Sequence, residues 1–352
     1  MSKLFEPLAA GELELPNRIV MAPLTRNRAT LPDRVPNGLM REYYAQRAAA
    51  GLILTEATSV EPRGVGYPAT PGIWSPEQVE AWKAVTRAVH EKGGRILSQL
   101  WHVGRVSHSR YQPDGALPVG ASAIAPGGHV SLIRPQVPFE TPRPLETHEM
   151  AGIVEAFRRG AENAEAAGFD GVEIHGANGY LLDQFLQDGS NRRTDAYGGP
   201  VENRARLHLE VTDAVVSVWG PGRVGMHIAP RGDAHSMGDS NRLATFGHLV
   251  RELGKRRIAF VFAREKLGED RIGPQLKAAF GGAWIANEGF DKASAEAVLA
   301  VGEADAVSFG KAFIANPDLV RRLALGAPLN AWNTATFYSE GPEGYTDYPA
   351  VA

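Results

Sequence analysis

The sequence predicts a TIM (β/α)8 barrel with an N-terminal hairpin plug and a flap insertion after strand three, built as one domain over residues 1–352. Three observations predict it. Eight short apolar runs recur along the chain, mostly separated by stretches whose apolar residues fall at helical spacing. Several runs end on a polar residue, which is where parallel barrels place their chemistry. The first run leads into Met21-Ala-Pro-Leu-Thr25 rather than a Gly-x-Gly-x-x-Gly turn, which disfavours an open doubly wound sheet. Such a barrel takes about 250 residues, and the surplus here lies in the N-terminal segment and in 104–145.

The elements follow in order. Gly11-Glu-Leu-Glu-Leu-Pro-Asn17 alternates like a short hairpin able to plug one end of a barrel. Ile19 to Ala22 is the first strand, stopped by Pro23. Residues 39–50 read as a helix with Met40, Tyr43, Tyr44 and Ala48 on one side, closed by Gly51. Leu52 to Thr55 is strand two. Ser75-Pro-Glu-Gln78 opens a helix with an N-cap, a proline at the first position and a capping-box Gln, and Val79, Trp82, Val85 and Val89 share its face. Arg95 to Leu100 is strand three. Residues 104–145 are aperiodic and rich in Pro, Gly and Ser, which suggests a functional lid. Thr147 caps the next helix, with Met150, Ile153, Phe157, Ala161 and Ala164 inward, and Val172 to Ile174 is strand four. A helix over 201–218, strand five at Val224 to Ile228 and a helix near 243–253 follow. Strand six spans Ile258 to Phe262, a helix lies near 273–279, and strand seven spans Trp284 to Ala286. A helix from Lys292 to Val301 and strand eight, Ala306 to Phe309, complete the pattern.

Composition narrows the function. A net charge of −3 gives no pull toward nucleic acid or anionic lipid, so neither is an expected partner. The absence of cysteine excludes disulfides, thiolate metal sites and cysteine nucleophiles. The opening Met1-Ser-Lys-Leu-Phe-Glu-Pro7 does not read as a signal peptide, and no apolar run approaches membrane-spanning length, so a cytoplasmic location is the default expectation. A monomer or weak homodimer is expected.

The stretch from Phe169 to Phe185 carries the densest chemistry. His175 and Asn178 can both donate a hydrogen bond to one oxygen, and Tyr180 can donate a proton, with Gly176 and Gly179 letting the backbone bend close to a ligand. After strand seven comes Asn287-Glu288-Gly289. After strand eight comes Phe309-Gly310-Lys311, with an unobstructed amide and a fixed positive charge. These two loops are the usual phosphate cradle of this barrel. Thr25, Ala57, Gln99, His175 and His227 stand at or just beyond the ends of strands one to five, and they suit a flat heteroaromatic ring across the mouth. Flavin mononucleotide fits, and composition alone does not separate it from a sugar phosphate. A phosphosugar lyase or isomerase is the second reading, though Glu56 and Glu173 have no evident partner to make either a base. A metal hydrolase finds no ligands after strand one, and a flavin-holding carrier has no need of Tyr180.

The chain also resembles the old yellow enzyme family of flavin-dependent ene-reductases. The resemblance rests on Asn17-Arg-Ile-Val-Met-Ala-Pro-Leu-Thr-Arg26, Gln99-Leu-Trp-His-Val-Gly-Arg105, Gly168-Phe-Asp-Gly-Val-Glu-Ile-His-Gly-Ala-Asn-Gly-Tyr-Leu182, Tyr197-Gly-Gly, Asn316-Pro-Asp and Gly344-Tyr-Thr-Asp-Tyr-Pro349, which run nearly end to end. Val224 to Asp233 looks most like the xenobiotic, glycerol trinitrate and N-ethylmaleimide reductases. The resemblance implies non-covalent FMN reduced by NADPH or NADH. It then implies hydride transfer from flavin N5 to an electron-poor alkene, or to a nitro compound or nitrate ester. His175 and Asn178 would hold the acceptor's oxygen and Tyr180 would supply the proton. Thr25 would bond the flavin near N5 and Gln99 its pyrimidine edge. Ala22, Pro23, Leu24, Ala57, Asn287, Glu288, Gly289, Phe309, Gly310, Lys311 and Phe337 would also line the cofactor, while Tyr67, Trp101 and Tyr338 would wall the substrate. Two residues depart from the family pattern. His227 stands where an Arg is common, with Arg231 a possible substitute cation, and Lys311 also replaces an Arg.

Overall fold

Eight parallel strands close on themselves in the structure, a computed structural model that describes residues 2–351. Met1 and Ala352, the ends of the expected domain, lie outside the described residues. The strands are β1 (Ile19–Met21), β2 (Leu52–Leu54), β3 (Ile96–Trp101), β4 (Gly171–His175), β5 (Val224–Ile228), β6 (Phe260–Arg264), β7 (Ala283–Asn287) and β8 (Ala306–Phe309). Each pairs in parallel with the next, and β8 returns to β1 through Val307 opposite Ile19 and Phe309 opposite Met21. A two-residue strand, Thr58–Ser59, pairs in parallel with β3 opposite Leu100 and Trp101.

Both faces of these strands are buried, and so their sequences read as apolar runs without alternation. Val20, Leu52, Leu54, Leu97, Phe260, Phe262, Ile285 and Ala306 fill the barrel interior. Ile19, Ile53, Ile96, Val172, Ile174, Val224, Met226 and Val261 face the helices. The expected plug is present. Leu8–Ala10 pairs antiparallel with Leu13–Leu15, and Leu13 and Leu15 join the interior cluster from below.

The helical ring comprises α1 (Gly38–Gln46), α2 (Pro76–His90), α3 (Met150–Ala166), α4 (Arg206–Trp219), α5 (Arg242–Lys255), α6 (Gly273–Phe280), α7 (Lys292–Ala300) and α8 (Leu319–Leu325), one after each strand. The Ser75 capping box opens α2 as expected, a device worth about 1 kcal/mol. Several boundaries differ from expectation. α1 stops at Gln46 because Arg47 leaves the helix, its guanidinium donating to the carbonyls of Phe313 and Ile314. Gly51 serves close approach rather than capping, since a Cβ there would lie 2.0 Å from the Asn17 carbonyl oxygen. Thr147 does not cap α3. It lies in a 3-10 turn closed by Glu146 and Glu149, and its hydroxyl donates to Asp195. The helix expected over 201–218 is split into Val201–Arg204 and α4.

The 104–145 segment has more order than its sequence suggests. Its base is pinned by Val119–Gly120 pairing with Arg143–Pro144, and a bridge joins His129 to Pro138. Among the described residues no helix is long and apolar enough to cross a membrane.

Candidate active site

The carboxyl ends of β3, β4 and β5 bring three expected polar residues into contact inside the barrel. Gln99 Nε2 donates to Glu173 Oε2 at 2.6 Å and lies 3.1 Å from His227 Nδ1. Gln99 therefore spends its amide N–H2 below, which leaves its oxygen for a ligand above. His227 Nδ1 then accepts, so its proton sits on Nε2, a buried atom with no protein partner. Burial, then His175 and Arg264, holds His227 well below the usual histidine range. His227 is thus a neutral donor and not the cation its position suggested. His175 stacks on it with ring centroids 4.8 Å apart and planes at 12°. Burial, with Arg264 second, lowers His175 to about 3.

Beyond β4 the chain turns sharply. Asn178 adopts φ +57°, a left-handed conformation that Asn tolerates, and Gly179 follows at φ +78°. Tyr180 then stands edge-on to His175 at 5.0 Å and to Trp101 at 4.9 Å. Its hydroxyl is 2.8 Å from that of Tyr67. Burial, then Tyr67, pushes the Tyr180 phenol well above its ordinary value. Ala57, Trp101, Val103 and Val106 form one buried cluster against which Tyr67, Phe139 and Tyr180 pack, so the aromatic wall is shared between the segments after β2, β3 and β4 and the flap.

On the opposite side, Gly310 approaches Leu24 and Ala22, which flank Pro23 before Thr25. Asn287 donates to Ser308 on the neighbouring strand, and Gly289 (φ +81°) has open space on its Cβ side. Lys311 is exposed, its ammonium 5.9 Å from the centre of the Trp332 ring. Phe337 and Tyr338 arrive from the C-terminal segment. Arg26 and Arg28 hold that segment through the carbonyls of Thr336, Phe337, Gly341, Glu343 and Gly344. A cavity of about 760 Å³ lies off the mouth, against the start of α2, lined by Arg34, Trp74, Gln78 and Gln112. None of the strand-end residues lines it.

The chain matches the NADH:flavin oxidoreductase / NADH oxidase family over residues 3–330. Over 361 positions it is 45% identical to putative 12-oxophytodienoate reductase 4 of Oryza sativa subsp. japonica, covering 98% of this chain and 92% of that one. It is 42% identical over 360 positions to 12-oxophytodienoate reductase 2 of Arabidopsis thaliana, covering 99% and 96%. Among solved structures, morphinone reductase in complex with tetrahydroNAD matches with a TM-score of 0.95 at 49% identity, covering 99% and 98%. The old yellow enzyme homologue of Zymomonas mobilis matches with a TM-score of 0.96 at 42% identity, covering 99% of each chain. The chain belongs to the old yellow enzyme family. It is accordingly an NAD(P)H-dependent flavin oxidoreductase of the ene-reductase type. The relatives are named for different acceptors, and the match does not resolve the subgroup.

The mouth of this old yellow enzyme family member fits a flavin on its own chemistry. Trp101 Nε1, His175 Nδ1 and His227 Nε2 are buried without a protein partner at or next to the ends of three adjacent strands. Buried polar atoms left unpaired are costly, and a ring edged with carbonyl and N–H groups offers partners of both kinds.

Two residues, Arg264 and His235, escape the sequence reading. Arg264 ends β6 because that strand begins two residues later than expected. It donates to Asn178 Oδ1 at 3.0 Å and to Glu288 Oε1 at 3.1 Å. Arg231 does not compensate for His227: it donates to Asp270 and to the Lys266 carbonyl at the surface. His235, in the β5–α5 loop, holds the Asn178 carbonyl at 2.7 Å. The acids also have partners after all. Glu56 accepts the Arg26 and Asn27 amides, and Glu173 accepts Gln99.

Glu173 carries a measurable signature. Burial pushes its carboxyl up to about 8, partly offset by Gln99. In the unfolded chain it returns to about 4.3. Between those values the folded state binds the extra proton, so the contribution is full below about pH 4 and is lost as pH rises through about 8. Glu173→Gln is expected to flatten the fall in stability over that window, measured as urea unfolding of the flavin-free protein against pH. A variant slope equal to the parent's would remove this carboxyl as its source.

Proposed function

We propose that this chain is one FMN-binding barrel domain that uses NADPH or NADH to reduce electron-poor C=C bonds in enones, maleimides and nitroalkenes, with nitrate esters and nitroaromatics as further acceptors. The reading rests on one observation: the His175 imidazole, held neutral by burial, stands edge-on to the protonated phenol of Tyr180 with ring centres 5.0 Å apart, and Asn178 occupies the turn between them beyond β4. The relatives named for oxophytodienoate and morphinone reduction support a carbonyl-conjugated alkene as acceptor.

FMN, when bound, would supply the hydride chemistry that links nicotinamide to alkene. The protein does the rest. Hydride addition at the β-carbon builds negative charge on the acceptor's oxygen, and the N–H groups of His175 and Asn178 stabilise it there without reorganising. Tyr180 gives its phenolic proton to the α-carbon. Gln99 through its oxygen, His227 through Nε2–H, and Thr25 would hold the polar edge of the cofactor, with Ala22, Pro23, Leu24 and Ala57 along the ring. Lys311, Gly310 and Gly289 would meet the phosphate, Lys311 as a point charge.

Purified protein is expected to be yellow and to bleach on anaerobic addition of NADPH or NADH, the colour returning when an enone or nitroalkene is supplied. A colourless preparation that FMN does not reconstitute would defeat the reading. Bleaching without recolouring by any acceptor of these classes would remove the substrate assignment and leave the cofactor.

A further inference from the structure

We infer that Arg264, braced by Glu288, is the positioning residue that decides which end of the Asn178 carboxamide faces the acceptor. The inference rests on the donor-pair reading above and deepens it. A carboxamide has a donor end and an acceptor end of nearly equal shape, and a half-turn exchanges them. Facing the oxygen of an enone, the N–H2 end attracts and the oxygen end repels. Nothing within Asn178 selects between them.

The selection comes from β6. Arg264 Nη1 donates to Asn178 Oδ1 at 3.0 Å, and a guanidinium has no acceptor to offer. The amide oxygen must therefore turn to Arg264, which leaves the N–H2 end for the ligand. The rest of Asn178 is held independently: its backbone sits at φ +57° and its carbonyl is bonded by His235 Nδ1 at 2.7 Å. Arg264 is itself braced, since Nη2 donates to Glu288 Oε1 at 3.1 Å. Glu288 adopts φ +103°, unusual for a residue with a side chain, at the end of β7. Side chains at or after the ends of β5, β6 and β7 thus act on one asparagine, with Arg264 the one that bonds its side-chain amide. This also gives the Glu288 carboxylate a role other than direct contact with the cofactor.

The test is the affinity of the holoenzyme for phenol, a non-reducible ligand whose single oxygen can accept both donors, measured by calorimetry. Arg264→Gln is expected to weaken phenol binding roughly 10- to 100-fold, the range for a charge-assisted hydrogen bond. Arg264→Lys should recover most of the loss, because an ammonium also donates and never accepts. In an Asn178→Ala background, Arg264→Gln should add almost nothing, as two residues acting through one contact are not additive. Full additivity, or failure of Lys to recover binding lost in the Gln variant, would overturn the inference. Parent-like phenol binding by Arg264→Gln while Asn178→Ala binds weakly would overturn it and spare the donor-pair reading. Parent-like binding by Asn178→Ala would overturn both.

Discussion

Replacing Tyr180 by Phe is expected to slow reduction of an enone by about 10²–10⁴-fold, the usual worth of a positioned general acid, while reduction of the flavin by nicotinamide changes only a few-fold. The reason is local. The Tyr180 phenol is kept fully protonated by burial and by Tyr67, so it can give a proton only when a carbanion develops beside it. Its hydroxyl bonds that of Tyr67 at 2.8 Å, which fixes its direction and offers a partner for the phenolate left behind. Phe keeps the packing against Trp101 and His175 and removes the hydroxyl, and with it the proton and the bond to Tyr67. Separate stopped-flow measurement of the two half-reactions decides the matter. Equal loss in both, or in neither, would take Tyr180 out of the acid role.

Truncating His175 to Ala is expected to cost about 10²–10³ in kcat/KM for an enone, the loss seen when one donor to a developing oxyanion is removed. The pH behaviour separates this from a charge effect. Burial, then Arg264, holds His175 at about 3, so the imidazole is neutral across the working range and donates without taking up a proton. Acceptor binding should therefore show no histidine-like titration between about pH 5 and about pH 8. A step near pH 6.5 in the parent that disappears in the Ala variant would mean that a charged imidazole, not a neutral one, grips the oxygen.

The strand pattern was legible because a closed parallel barrel buries both faces of each strand, leaving apolar runs with a polar tip. His175 and His227 stand at or next to such tips, while Gln99 lies two residues before the end of β3 and Thr25 four beyond the end of β1. The same property blurred β6. Ile258 and Ala259 are as apolar as the strand that follows, and with no alternation to mark its phase the sequence predicts a strand two residues early that stops short of Arg264. The flap looked unstructured because its order comes from isolated bridges and two-residue pairings, too short to give a period.

By itself the sequence determined the barrel, the hairpin plug and the grouping of an imidazole, a carboxamide and a phenol within six residues after strand four, since each follows from local spacing or from side-chain type. Only the tertiary structure decided how those groups are aimed and charged. Glu173 meets Gln99 across 74 positions, Arg264 meets Asn178 across 86, and Arg26 reaches Gly344 across 318. Such pairs set protonation and amide direction through burial and contact, and neither quantity exists until the strands have closed into a ring.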